Sequence, residues 1–123
     1  STSPEILVID VAFISVTKIL PAVGQVCAPT CDAMVLVKPQ FESPPDRVGA
    51  HGVVTDKATR QLCLETVGQS AEELGWSVVR AIPSPVRGPA GNWECFLQLR
   101  RPPSTSKFAS LQAILNNVEV PND

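Results

Sequence analysis

A chain of 123 residues, 44% hydrophobic and 18% charged, has the length and balance of one globular domain. Such a domain removes roughly two-thirds of its unfolded surface from water. A net charge of −2 excludes a protein that grips nucleic acid by bulk charge alone. No apolar run reaches the roughly 20 residues of a membrane span, and the start carries no signal-peptide pattern.

In chain order, "ILVIDV", Ile6 to Val11, reads as a buried strand. From Ser15 to about Val26, apolar residues recur at Val16, Ile19, Leu20, Val23 and Val26, the spacing of a helix capped by Ser15. Pro21 lies inside that pattern and moves the expected start of regular helix to itself. Ala33 to Val37 is a second strand, continuous in apolar residues and expected to be buried on both faces. The following "PQFESPPDRVGAHG" is expected to be irregular. Thr55 or Asp56 caps a long helix reaching about Leu74, with Ala58, Leu62, Val67, Ala71 and Leu74 on one face and Gly75 as the stop. "WSVVRAI" is a third strand; "PSPVRGPAGN" is a turn, and "ECFLQLR" a fourth strand. "RPPSTS" reads as a linker to a short amphipathic helix carrying Phe108, Leu111, Ile114, Leu115 and Val118.

Four cysteines, Cys27, Cys31, Cys63 and Cys95, do not suggest a disulfide framework. Cys63 falls in a helical pattern and Cys95 in a strand pattern, as reduced core cysteines do, so a reducing intracellular compartment (cytoplasm or organelle matrix) is expected. The CAPTC spacing of Cys27 and Cys31 could supply half a zinc site, but with one histidine and no second cysteine pair no metal is expected.

Strand, helix, strand, helix, strand is a βαβ series, so the fold class is α/β, a mostly parallel sheet with helices on its faces. The last two strands lack an intervening helix and should pair antiparallel. Ligands of such sheets sit at the carboxyl ends of the strands, where Asp10 and Lys38 are expected. The ammonium of Lys38, delivered by a buried strand, needs a carboxylate or a ligand unless it reaches a surface rim. Each residue also has a plain reading: Asp10 as a turn residue, Lys38 as a solvated strand end, Glu94 as an edge-strand charge.

The segments "VIDVAFISVTKILPAV", "LVKPQFE", "VGAHGVVTD" and "PSPVRGPAGNWECFLQLRR", in that order over about residues 5 to 101, resemble the hemolysin A-like (TlyA-type) ribosomal RNA methyltransferases of the FtsJ-like family. The resemblance implies a Rossmann-like fold that moves a methyl group from S-adenosylmethionine to a ribose 2′-hydroxyl of rRNA. The family's catalytic set is lysine, aspartate, lysine, glutamate. Asp10 in "VIDVAF" matches the aspartate, Lys38 in "VKPQFE" the second lysine and Glu94 in "GNWE" the glutamate. The first lysine has no match, nor do the glycine-rich cofactor turn and the small N-terminal RNA-binding domain of the relatives. "GAHG" and "GPAG" follow the wrong elements to serve as that turn, and His51 stands where relatives usually show glycine. Residues 1–101 thus resemble the C-terminal half of a methyltransferase domain, with 102–123 a Pro-rich linker and tail helix.

In that chemistry the ribose hydroxyl loses its proton as the methyl arrives. A lysine accepts it only when desolvation or a neighbouring cation brings its pKa toward neutrality. The unmatched lysine would be such a cation, and the two carboxylates would orient the ammonium. Arg87 and Asn92 are candidate RNA contacts, with Arg80, Arg100 and Arg101 extending a possible basic rim; Asn92 and Trp93 otherwise shape the turn. Taken as half of such a sheet, the chain leaves the edge of the Ile6–Val11 strand unpaired and apolar surface exposed, so a missing N-terminal half or a partner protein is expected to cover it.

Three arrangements fit: a portion of a complete methyltransferase, inactive alone; a structural subunit derived from one; or half of a split enzyme. Retention of Asp10, Lys38 and Glu94 favours the first or third. A tail helix able to dock on a neighbour favours the second, unless it packs back on its own domain.

Overall fold

In the computed structural model, which describes residues 3–102 and 111–123, four strands form one sheet in the order β1-β2-β4-β3. These are β1 (Ile6–Ile9), β2 (Cys31–Val37), β3 (Ser77–Pro83) and β4 (Cys95–Arg101). The helices are α1 (Val16–Val26), α2 (Pro39–Glu42), α3 (Lys57–Glu73) and α4 (Leu111–Asn116). β1 pairs parallel with β2, Ile9 opposite Val35. β4 runs antiparallel to both β2 and β3, with Val37 and Pro83 each opposite Cys95. The expected antiparallel pairing of the last two strands is therefore present. The hairpin return also inserts β4 between β2 and β3, so β1–β2 is the sheet's one parallel pairing.

β2 is internal, and Val35, Leu36 and Val37 are all buried, as a continuous apolar run requires. β1 ends earlier than its apolar run and is buried on one face only: Ile9 is 7% exposed, whereas Ile6 and Val8 are 77% and 73% exposed. It lies at the sheet's edge with α1 on one side and nothing among the described residues on the other.

Pro21 does not delay α1, which starts at Val16. Ser15 accepts the Thr17 N–H at 3.1 Å, and the Glu42 carboxylate accepts the Val16 N–H at 2.8 Å and the Ser15 hydroxyl at 2.6 Å. A carboxylate at the helix amino end satisfies orphan donors and complements the dipole. That offsets the single hydrogen bond Pro21 removes.

The loop expected to be irregular contains α2 and two 3-10 turns, Pro45–Arg47 and Ala50–Gly52. Pro39 and Pro45 open two of them, because a fixed φ suits a first helical position. α3 has Asp56 as its cap, accepting the Thr59 N–H at 2.9 Å, and Gly75 past its end at φ +90°. Its buried face is rotated from the expected one. Cys63, Leu64, Val67 and Ala71 are buried together with Thr59, Arg60 and Gly68, while Ala58 is exposed and Leu62 and Leu74 are 44% and 41% exposed. Hydrophobic spacing could not see Gly68, where a Cβ would stand 2.8 Å from Leu111, nor Arg60, which is buried by its partners.

The tail packs back on this domain. Leu115 and Val120 are buried, with Leu111, Ile114 and Val118 against the same core. Phe108 and most of the "RPPSTS" linker lie outside the described residues. Beyond α4 the chain returns to the start of α3. Asp123 N–H donates to Thr55 O at 3.0 Å, Asn122 Oδ1 accepts the Lys57 N–H at 3.1 Å, and Arg60 donates to Pro121 O at 2.7 Å.

Candidate active site

Asp10 follows β1, Lys38 follows β2 and Glu94 precedes the antiparallel β4, so all three reach the same end of the sheet. The fold brings the first two into contact: Lys38 Nζ is 2.6 Å from Asp10 Oδ1. The Lys38 side chain is 17% exposed and that of Asp10 55%, so a mostly buried lysine meets a wetter carboxylate. The requirement that a carboxylate or ligand receive this lysine is met by Asp10. The β2–β4 register that pairs Val37 with Cys95 places Lys38 and Glu94 on the following rung.

Glu94 is 6% exposed, and its Oε2 accepts the Gln40 amide N–H at 3.1 Å. A Cβ at Gly88 would sit 2.5 Å from that same oxygen, so a side chain there would displace the Glu94 carboxylate. The Glu94 carbonyl in turn accepts the Ser84 N–H at 2.9 Å, closing the hairpin.

Two residues not singled out by sequence belong to the same end. Phe13 is 91% exposed in the left-handed region, φ 65°, and its ring lies 5.1 Å from that of Phe41, tilted by 51°. An exposed aromatic in a conformation that disfavours bulky side chains marks a site where strain is tolerated. Glu42, closing "KPQFE", joins α2 to α1 as described. Neither could be found from periodicity, since both depend on a contact between distant segments.

The RNA-contact expectation for Asn92 is corrected. Asn92 is 1% exposed, its Oδ1 accepts the Val54 N–H at 2.9 Å and its amide donates to Gly52 O at 2.9 Å. With both ends of the amide occupied, it ties the Ala50–Gly52 turn to the hairpin, the turn-shaping alternative. Trp93 is likewise buried, with the Arg60 guanidinium 5.9 Å from its ring. Arg87 does reach the site's end of the sheet, but its guanidinium grips Asp123 at 2.8 and 3.2 Å. Asp123 also takes Arg60 at 2.8 and 3.2 Å, and these two guanidiniums, Arg60 first, hold its carboxyl well below the usual carboxylate range.

The basic rim does not form. Arg100 and Arg101 lie at the opposite end of the sheet, one paired with Asp32 at 2.8 Å, the other donating to the Cys27 and Ala28 carbonyls. His51 sits exposed at φ 62°, a left-handed conformation that glycine adopts at least cost.

The glycine-rich segments do not fit a cofactor cradle. Gly49 N–H is taken by Val53 O, Gly52 N–H by Gly49 O, Gly88 N–H by Asn92 O and Gly91 N–H by Gly88 O. The N–H groups of all four glycines are thus spent on the turns themselves. Among the described residues no cluster of three metal-ligating side chains occurs, and no helix is long and apolar enough to cross a membrane. All four cysteines are buried free thiols; burial pushes Cys95 up to about 12 and raises Cys63 and Cys31 as well.

Comparison with known proteins agrees with this geometry. Residues 1–101 match the FtsJ-like methyltransferase family. The 16S/23S rRNA (cytidine-2′-O)-methyltransferase TlyA of Mycobacterium tuberculosis is 43% identical over 96 residues, 78% of this chain and 36% of its own length. YqxC of Bacillus subtilis, provisionally named an rRNA methyltransferase, is 40% identical over 99 residues, 80% of this chain and 35% of its own. A Lactococcus lactis protein given the provisional name hemolysin superposes with a TM-score of 0.81 at 31% identity, covering 94% of this chain and 56% of that one. The chain thus spans little more than a third of the length of these curated relatives. Asp10 and Lys38, paired at the carboxyl ends of two parallel strands, stand within the matched residues, and the chain belongs to the FtsJ-like methyltransferase family, in its hemolysin A-like branch.

Proposed function

We propose that this chain is the second half of the methyltransferase domain of an S-adenosylmethionine-dependent rRNA ribose 2′-O-methyltransferase, and that it transfers no methyl group alone. The observation that carries the reading is the Asp10–Lys38 ion pair, 2.6 Å long, at the sheet end that Glu94 also reaches. When bound, the cofactor supplies an electrophilic methyl group. Lys38, once it has given up its own proton to become the free amine, would take the proton of the ribose hydroxyl, with Asp10 fixing the position of the amine and Glu94 bounding the far side of the site. Phe13 and Phe41 offer an exposed aromatic surface beside the pair, on which a neighbouring base stacks. Arg87 contacts RNA phosphate only after exchanging Asp123 for it.

The cofactor and the first lysine belong to the part of the fold that completes β1. Ile6 and Val8 expose their side chains, and among the described residues β1 has β2 as its one neighbour in the sheet. An N-terminal half covering that face and edge removes an aggregation-prone border and brings in the cofactor turn. The tail helix, which packs on its own core, gives no support to a purely structural subunit.

Titration of S-adenosylmethionine calorimetrically into this chain and into the complete protein that contains it tests the division. Binding by the complete protein only is expected. Binding of comparable affinity by this chain would overturn the proposal.

A further inference from the structure

Gln40 gives its amide N–H to Glu94 Oε2 at 3.1 Å, while its Oε1 is buried without a partner among the described residues. The orientation is fixed by chemistry: a carboxylate accepts, so the amide nitrogen faces Glu94 and the oxygen faces away. A glutamine kept for packing satisfies both ends of its amide. This one leaves an acceptor unpaired in order to hold one carboxylate oxygen. Gly88 makes room for the same oxygen by lacking a Cβ. Gln40 is also two residues from Lys38, with Pro39 between them restricting the backbone at the start of α2. The connection Lys38–Pro39–Gln40 to Glu94 is therefore short and stiff, and it couples the two ends of the site.

We infer that Gln40 is a positioning residue, setting the Glu94 carboxylate relative to Lys38. The inference rests on the proposed methyl-transfer reading and adds to it a group outside the inherited catalytic set.

The test is steady-state methyl transfer by the complete protein. Gln40→Leu keeps the side chain's bulk and removes both the donor and the unpaired acceptor. It is expected to lower kcat about 100-fold, the scale of a misplacement near 1 Å, with KM for S-adenosylmethionine and the melting temperature held. Gly88→Ala puts a Cβ against the same oxygen and should lower kcat comparably. Combining Gln40→Leu with Glu94→Gln should cost no more than Glu94→Gln alone, as for residues acting as a unit. Wild-type kcat in Gln40→Leu, or full additivity in the double variant, would overturn the inference. Should Lys38→Ala and Glu94→Gln also turn over at the wild-type rate, the methyl-transfer reading itself falls; should they lose activity while Gln40→Leu keeps it, only the role of Gln40 falls.

Discussion

Phe13 illustrates how the site depends on single residues. Its ring is exposed and its backbone strained, and it contributes nothing evident to the core. Phe13→Ala is therefore expected to leave the melting temperature unchanged or higher while weakening RNA binding by the complete protein. Base stacking on an aromatic is worth about 1–3 kcal/mol, roughly 5- to 150-fold in affinity. The cysteines behave oppositely. With burial pushing the Cys95 thiol up to about 12 and raising Cys63, neither should react with iodoacetamide at pH 8 until the protein is unfolded; prompt labelling of the native chain, read by mass spectrometry, would contradict the packing. That Asp10, Lys38 and Glu94 would share one end of the sheet was legible, because the strand pattern places each at a strand end; their roles rest on the resemblance. Of the two roles open to Asn92, RNA contact or turn shaping, the structure supports the second, and nothing in "GNWE" discloses that its amide is closed by Val54 and Gly52, some 40 residues upstream.

At the scale of elements, periodicity found every strand and the three longer helices, because each buries an apolar stripe. It failed where polar atoms decide. α2 and the two 3-10 turns sit in a stretch whose prolines read as breakers but act as starters. The early start of α1 depends on Glu42, 26 residues away from the Val16 N–H it accepts. Glu42→Ala removes an amino-terminal cap and should destabilise the chain by about 1 kcal/mol. Because Glu42 also fixes α2 beside α1, the same change should loosen the segment that carries Lys38. Faster amide exchange at Val16 and Thr17 checks the cap. Exchange as slow as in the unaltered chain would mean that packing of Val16 and Leu20 alone holds the helix start.

Across the whole molecule, two features set behaviour. The first is the carboxyl-terminal strap, where Asp123 ties Arg60 of α3 to Arg87 of the β3–β4 turn. Hydrogen bonds from these arginines lower the Asp123 carboxyl, and Thr59 lowers that of Asp56. Groups held below their unfolded value of about 3.9 stabilise the fold above that pH and lose the contribution as pH falls through the folded values. The chain should therefore weaken progressively below about pH 5. The gap in urea midpoint between it and Asp123→Asn should narrow over the same range; a constant gap from pH 7 to pH 3 would exclude the linkage. The second feature is the open face of β1, which the apolar character of "ILVIDV" announced without saying which side would be covered. Insertion of β4 between β2 and β3 was equally hidden, because an antiparallel hairpin return leaves the same strand pattern whichever side of β3 it takes.

As proposed above, the Asp10–Lys38 pair handles a proton within a methyltransferase completed by the rest of its fold. The most direct measurement compares the complete protein with its Lys38→Ala variant for incorporation of labelled methyl from S-adenosylmethionine into rRNA, alongside cofactor affinity. A positioned general base contributes about 10²- to 10⁴-fold. A loss on that scale with cofactor affinity preserved is expected, and unchanged turnover in Lys38→Ala would exclude a proton-handling role for the pair.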